Sequence, residues 1–362
     1  MNRKQFLALM ASGALGMAGR RLPAFAAPTG AAPAAFPQKN WAWVGGDFSD
    51  MASLKPKFAQ WRAAGIDALL VHVREPDVLA GIAPVAEAEG LETHAWIPTM
   101  MRGGMEETHP EWYAVNRLGK STATDPPYVP YYKFLCPTRE PVRAYLAEDY
   151  RRMAEVPGVT SLHLDYIRYP DVILPVALWE KYDLVQDKEY PAFDYCYCDV
   201  CRAKFRDEHG VDPLELEDPP ASEAWRRFRY DRITEVVALL ADVAHAGDRQ
   251  LTAAVFPTPD IARRLVRQDW PRWDLDAVMP MIYHSFYEKP VAWIEEATRE
   301  GVTALGGRMP LYAGLFVPAF TPDELAEAAR RARAGGASGI VIFEAKAPTP
   351  EHWTKLSAVI QS

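Results

Sequence analysis

The chain has 362 residues, 49% of them hydrophobic and 24% charged, which is enough for a large apolar core and excludes a disordered polar chain. The formal charge is −8, and positions 1 to 27 carry four basic and no acidic residues, so taking those four charges from −8 leaves −12 for the remainder. A surface of that sign argues against nucleic acid as a partner.

The first segment has the pattern of an export signal. Arg3 and Lys4 precede an apolar run from Phe6 to Gly19, and Ala24-Phe25-Ala26 supplies a small-residue cleavage site, so positions 1 to 27 form a signal too short to span a membrane. Asn2-Arg3-Lys4-Gln5-Phe6-Leu7 is similar to a relaxed twin-arginine motif with Lys in the second basic place, and Arg20 and Arg21 add charge after the run. The expected location is periplasmic or extracellular in a bacterium, reached by the twin-arginine route. Positions 28 to 37, rich in Ala and Pro, form a linker, and 38 to 362 a single domain with no integral membrane segment.

From there, short apolar runs alternate with amphipathic stretches. Strands are predicted at Trp41 to Val44, Ala68 to Val73, Thr93 to Ile97, Ser161 to Ile167, Thr252 to Phe256, Ala277 to Tyr283, Leu311 to Phe316 and Gly339 to Phe343. Helices are predicted at Met51 to Ala64, Val78 to Glu89, Pro141 to Ala154, Glu223 to Ala246, Pro259 to Gln268, Val291 to Arg299, Pro322 to Ala334 and Glu351 to Ile360. Eight strand-then-helix units, with strands apolar on both faces, predict an α/β fold of the (β/α)₈ barrel class. An open dinucleotide-binding sheet would want G-x-G-x-x-G after the first strand, and Gly45-Gly46-Asp47 does not supply it, so no organic cofactor is expected. Asp47-Phe48-Ser49-Asp50 suits the cap of the first helix, with Ser49 or Asp50 accepting from its amides.

Two connections are long, 98 to 140 after strand three and 168 to 222 after strand four, which puts both on the C-terminal face where barrels build their sites. They hold all four cysteines. Cys196, Cys198 and Cys201 follow C-x-C-x-x-C spacing and Cys136 precedes them, a set suited to closing a tetrahedron of thiolates around a structural zinc; a disulfide from Cys136 or plain packing is the alternative. Trp112, Tyr113, Tyr128, Tyr131, Tyr132, Tyr182, Tyr190 and Tyr195 lie in the same stretches, suited either to stacking on sugar rings or to a small core beneath the loops.

Chemistry is expected where polar residues interrupt apolar runs at strand ends. In Ser161 to Pro170 the period of two sends His163 and Asp165 to one face and Leu162 and Leu164 to the other, so Asp165 points into the barrel as the first catalytic candidate, with an ion pair to Arg168 as its structural alternative. Glu344 after strand eight is the second catalytic candidate, its alternative a pair with Lys346 or Arg74. Arg74, Glu75, His163, Tyr283, His284 and Trp112 are expected to contact substrate. Two carboxyls across one mouth, one protonated and one ionised, are the apparatus for cleaving a glycosidic bond.

Gly158 to Pro170, Asp276 to Tyr283 and Phe134-Leu135-Cys136-Pro137 resemble the glycosyl-hydrolase-like family 10 barrels, a likeness running through most of residues 40 to 345. The cysteine pattern is similar to that of glycoside hydrolase family 42 β-galactosidases, where the matching positions, Cys136, Cys196, Cys198 and Cys201, bind structural zinc. Together the resemblances imply a glycoside hydrolase acting on a carbohydrate, with the strand-four acid at Asp165. Tyr166 stands where many such barrels have a second acid, and the run Leu311 to Phe316 ends without a carboxylate, which moves the second role to Glu344 or Glu75. The competing functions are a catalytically inert glycan-binding barrel and a metal-dependent hydrolase, the latter disfavoured because no H-x-H or H-E-x-x-H occurs.

Overall fold

Eight parallel strands form the centre of the computed structural model, which describes residues 36–362 apart from Asp47 and Ser49; the expected signal, most of the linker and the Asp47 and Ser49 caps lie outside the described residues. The strands are β1 Trp41–Val44, β2 Ala68–His72, β3 Glu92–Pro98, β4 Val159–Asp165, β5 Gln250–Val255, β6 Ala277–Pro280, β7 Ala313–Phe316 and β8 Ile340–Phe343. Hydrogen-bonded neighbours run β6-β5-β4-β3-β2-β1-β8-β7. Parallel bridges at Val278–Leu311 and Met281–Gly314 join β6 to β7, so the sheet curls into a barrel of the expected class.

Nine α-helices surround it among the described residues: α1 Leu54–Ala63, α2 Pro76–Ala88, α3 Glu140–Ala154, α4 Asp199–His209, α5 Glu223–Ala246, α6 Pro259–Val266, α7 Trp293–Leu305, α8 Pro322–Ala334 and α9 Pro350–Ile360. Local chemistry sets several boundaries. Thr321 and Glu324 form a reciprocal capping box at α8 with Pro322 in the first turn, and Asp50 accepts from the Ser53 amide ahead of α1. α4 was not foreseen; Cys198 stands at its N-cap, inside the cysteine run, where metal-type spacing obscured a helical one.

Strand periodicity sorts the core into two regions. Leu162 and Leu164 face the helices, within the large cluster between sheet and helix ring. Trp41, Trp43, Leu70, Met279, Tyr312 and Val341 fill the barrel interior. Close packing fixes two glycines: a Cβ on Gly314 would sit 2.8 Å from the Pro280 carbonyl oxygen, and one on Gly339 would sit 1.9 Å from that of Lys39. Among the described residues no helix is long and apolar enough to cross a membrane.

Candidate active site

Asp165 is the last residue of β4. The next residue, Tyr166, takes a left-handed backbone (φ 48°), unusual for a residue with a Cβ, and its amide turns back to donate to Asp165 Oδ1 at 2.7 Å. Trp96 on β3 donates its indole N–H to Oδ2 at 2.8 Å. The carboxyl faces a cavity of about 460 Å³ on the C-terminal side of the barrel. Burial raises its pKa against the two hydrogen bonds and the charge of Arg168, so the protonated form is favoured more than in water.

Arg168 does not pair with Asp165. Its guanidinium reaches Asp171 at 2.8 Å, and Tyr132 donates to the same Asp171 oxygen at 3.0 Å, so this second carboxylate of the cavity is bound within an ion pair. Burial opposes the charge on Arg168, but Asp171 together with Tyr132 and Tyr166 outweighs it, lifting the pKa further. The guanidinium also lies 4.9 to 5.8 Å from the ring centres of Tyr132, Phe134, Tyr166 and Phe256, which fixes the aromatic wall around it. Burial holds the hydroxyls of Tyr132, Tyr283 and Tyr287 far above their ordinary pKa, so they stay protonated. Phe286, Phe316 and Phe343 complete the far side. The result is a pocket of aromatic faces with one carboxyl free of any ion pair.

His72, at the end of β2, stands at the rim with its ring 4.8 Å from that of Trp96. Burial lowers its pKa, partly offset by the Asp165 charge, which favours a neutral imidazole facing a protonation-prone carboxyl.

Of the residues singled out in the sequence, Asp165, Tyr283 and the loop tyrosines Tyr128, Tyr131, Tyr132 and Tyr182 line this cavity. Arg74 and Glu75 border a neighbouring depression that also contains His72. Glu344 lies on the same barrel rim but lines a separate small cavity beside Gly45 and Phe48, with Lys346 Nζ 2.9 Å away. Gly45 lies between the two cavities, since a Cβ there would be 3.5 Å from Glu344 Oε2 and 4.0 Å from Trp96 Cζ3, and it is Trp96 that holds Asp165. His163 is sealed inside the barrel, accepting from Trp43 Nε1 at 3.1 Å and bonded to Thr252 at 2.8 Å. His284 is buried against Phe320, and Trp112 stacks on His109 at 4.1 Å; neither borders the cavity. Trp96, His72 and Asp171 were not singled out for the site; the alternation that exposed Asp165 also points Trp96 inward, and was the available signal for it.

The two long connections are zipped together. Asn116 bridges to Tyr195, Tyr197 N donates to Val115 O at 2.7 Å, and beneath them Asp194 is buried against Arg229. Cys136, Cys196, Cys198 and Cys201 are buried at this junction, with sulfurs all within 4.8 Å of one another and Cys136 3.5 Å from both Cys198 and Cys201. A tetrahedral site with metal–sulfur bonds of ~2.3 Å has sulfur–sulfur edges of ~3.8 Å, whereas a disulfide needs ~2.05 Å. The four thiols could therefore hold a metal ion, and the Val115 amide already donates to Cys196 Sγ at 3.4 Å. Among the described residues this is the one group of three or more ligand-type side chains so gathered, and it stands apart from the Asp165 cavity.

No protein-family profile matches the sequence, and no curated protein matches it. Solved structures do share its fold. A β-galactosidase from the psychrophilic Marinomonas ef1 superposes with a TM-score of 0.65 at 12% identity, over 89% of this chain and 59% of that one. A family 42 β-galactosidase from G. stearothermophilus gives 0.64 at 11%, over 90% of this chain and 56% of that one. The glycoside hydrolase domain of PgaB (BpsB) from Bordetella bronchiseptica gives 0.63 at 12%, over 90% of this chain and 99% of its own. The barrel is thus built like those of glycoside hydrolases, and the chain spans under three fifths of the length of the β-galactosidases it matches.

Proposed function

We propose that the protein is an exported glycoside hydrolase that cleaves an O-glycosyl bond of an oligo- or polysaccharide. The observation that carries this is Asp165: a buried carboxyl with a raised pKa, held by two donors at the floor of an aromatic cavity, which is what a general acid for a glycosidic oxygen requires. The aromatic walls suit the C–H faces of sugar rings, and the un-ionised tyrosine hydroxyls suit their oxygens. The barrel's likeness to β-galactosidases and to the PgaB domain supports the same substrate class.

Glu344 is assigned as the ionised partner, since it follows β8 on the same rim and is paired with Lys346. The cavity lining favours a second reading, a barrel that binds glycans without cleaving them: beside Asp165 its one other carboxyl is Asp171, held in the ion pair with Arg168, and Glu344 lines a different cavity. The four cysteines are assigned a structural zinc that ties the two cavity-forming connections together. The ion supplies cross-linking there. Export rests on Arg3, Lys4 and the apolar run that follows.

The deciding experiment screens purified protein against a glycan panel with Asp165→Asn and Glu344→Gln alongside. Turnover of one glycan, abolished by Asp165→Asn with binding retained, is the expected result. Binding without turnover by the native protein would install the second reading, and full activity in both variants would remove the site assignment.

A further inference from the structure

Three depressions meet at His72. Besides the Asp165 cavity, one of about 410 Å³ is bordered by Arg74, Met101, Glu106, Tyr131 and Lys133, and another of about 640 Å³ runs from His72 past Arg74 and Glu75 to Phe48. Tyr131 forms the ridge between the cavity and the first of these, bordering both. It is 61% exposed, and its aromatic contact is an edge of Tyr132 at 5.8 Å, so packing makes little demand for a ring at that position. An isolated exposed aromatic is ordinary; one on the ridge between an aromatic cavity and its outward continuation has a face to offer a ligand leaving the cavity. Beyond the ridge Lys133 pairs with Glu106 at 2.7 Å, and Arg74 borders both outer depressions, its backbone amide donating to the Glu75 carboxylate at 3.3 Å.

We propose that the binding cleft continues past the cavity, with Tyr131 as the stacking platform for a sugar ring outside it. The ligand is then a glycan chain longer than the cavity alone can hold. This rests on the carbohydrate reading above and adds to it a second binding stretch and a specificity-determining residue. Because Tyr131 is exposed at a loop, its replacement leaves the core untouched.

Titration calorimetry with cello-, chito-, malto- and galacto-oligosaccharides of one to about six units tests it against the native protein, Tyr131→Ala and Tyr131→Trp. In whichever series binds, affinity is expected to climb with length, and Tyr131→Ala to remove that climb, weakening long ligands roughly 3- to 10-fold while leaving the shortest unchanged. Tyr131→Trp is expected to keep it. Length-independent binding by the native protein, or equal weakening of short and long ligands by Tyr131→Ala, would overturn the outer site alone. Failure of every series to bind the native protein would overturn both this site and the carbohydrate reading.

Discussion

Replacing Arg168 with Met keeps most of the side-chain volume and deletes the cation that Asp171 depends on. Both partners are nearly inaccessible, at 6% and 3% side-chain exposure, so the change strands a buried carboxylate with only the Tyr132 hydroxyl, 3.0 Å away, to satisfy it. Breaking a buried pair from one side costs ~3–5 kcal/mol. Loss of the guanidinium's contacts with four aromatic rings acts in the same direction, at ~0.5–2 kcal/mol for a favourable one. For a chain of this length the unfolding entropy is ~0.7 kcal/mol per degree, so calorimetry should find the midpoint lowered by ~4–7 °C. The companion measurement is Arg168→Met with Asp171→Asn, in which the stranded charge is gone and most of the loss should be recovered. A cost below ~1 kcal/mol, within the range of an exposed pair, would refute the reasoning, as would a double variant no more stable than Arg168→Met alone.

Asp165→Asn should stabilise the protein more at neutral than at acid pH, even as it removes function; its single amide oxygen keeps one of the two donors, a cost that applies at both. Burial lifts the folded pKa above the unfolded value of ~3.9, so the penalty for ionising it is absent below that value, grows as pH rises toward the folded pKa and is complete above it. Melting curves should therefore place the variant higher relative to the native protein at pH ~7 than at pH ~3.5; a difference equal at the two pH values would contradict the assignment of burial as the dominant cause. Elemental analysis should find about one zinc per chain, reduced in Cys198→Ser, and metal removal should leave the barrel's circular dichroism while opening 98–140 and 168–222 to proteolysis; four freely titrating thiols in a metal-free native protein would count against the site. Gly314→Ala should cost ~1–3 kcal/mol by denaturant titration, because its methyl would meet the Pro280 carbonyl at 2.8 Å and Trp43 at 3.1 Å.

The barrel was legible because its strands announce themselves locally. Uniformly apolar runs such as Leu69-Leu70-Val71 and Ile340-Val341-Ile342 need both faces covered, and the spacing of eight of them leaves few topologies. Alternation within β4 likewise turned Asp165 inward and Leu164 outward, as the fold has them. What alternation cannot carry is depth along the barrel axis: His163 shares Asp165's face and is shut in beneath it by Trp43 and Thr252. Nor can it tell which groups meet across connections. Arg168 had Asp165 three residues before it and Asp171 three after, and only the fold of the loop with Tyr132 selects the latter. Glu344 follows β8 on the barrel rim as expected, but it lines a cavity beside Gly45 and Phe48 and not the one that Asp165 faces, a distinction that strand-end position does not carry. Trp112 was chosen for its type and proved to serve its own loop through His109.

The joint between β6 and β7 differs from the others in being made of bridges at Val278–Leu311 and Met281–Gly314 instead of a continuous ladder. Local opening favours stretches with the fewest cooperating hydrogen bonds, so amides along this line should exchange with solvent before those of β3 and β4. Tyr283 and Phe316 flank the same line and form part of the cavity wall. Breathing at that joint would therefore act as a side gate, giving bulky guests a path into the cavity that does not require the two long connections to part.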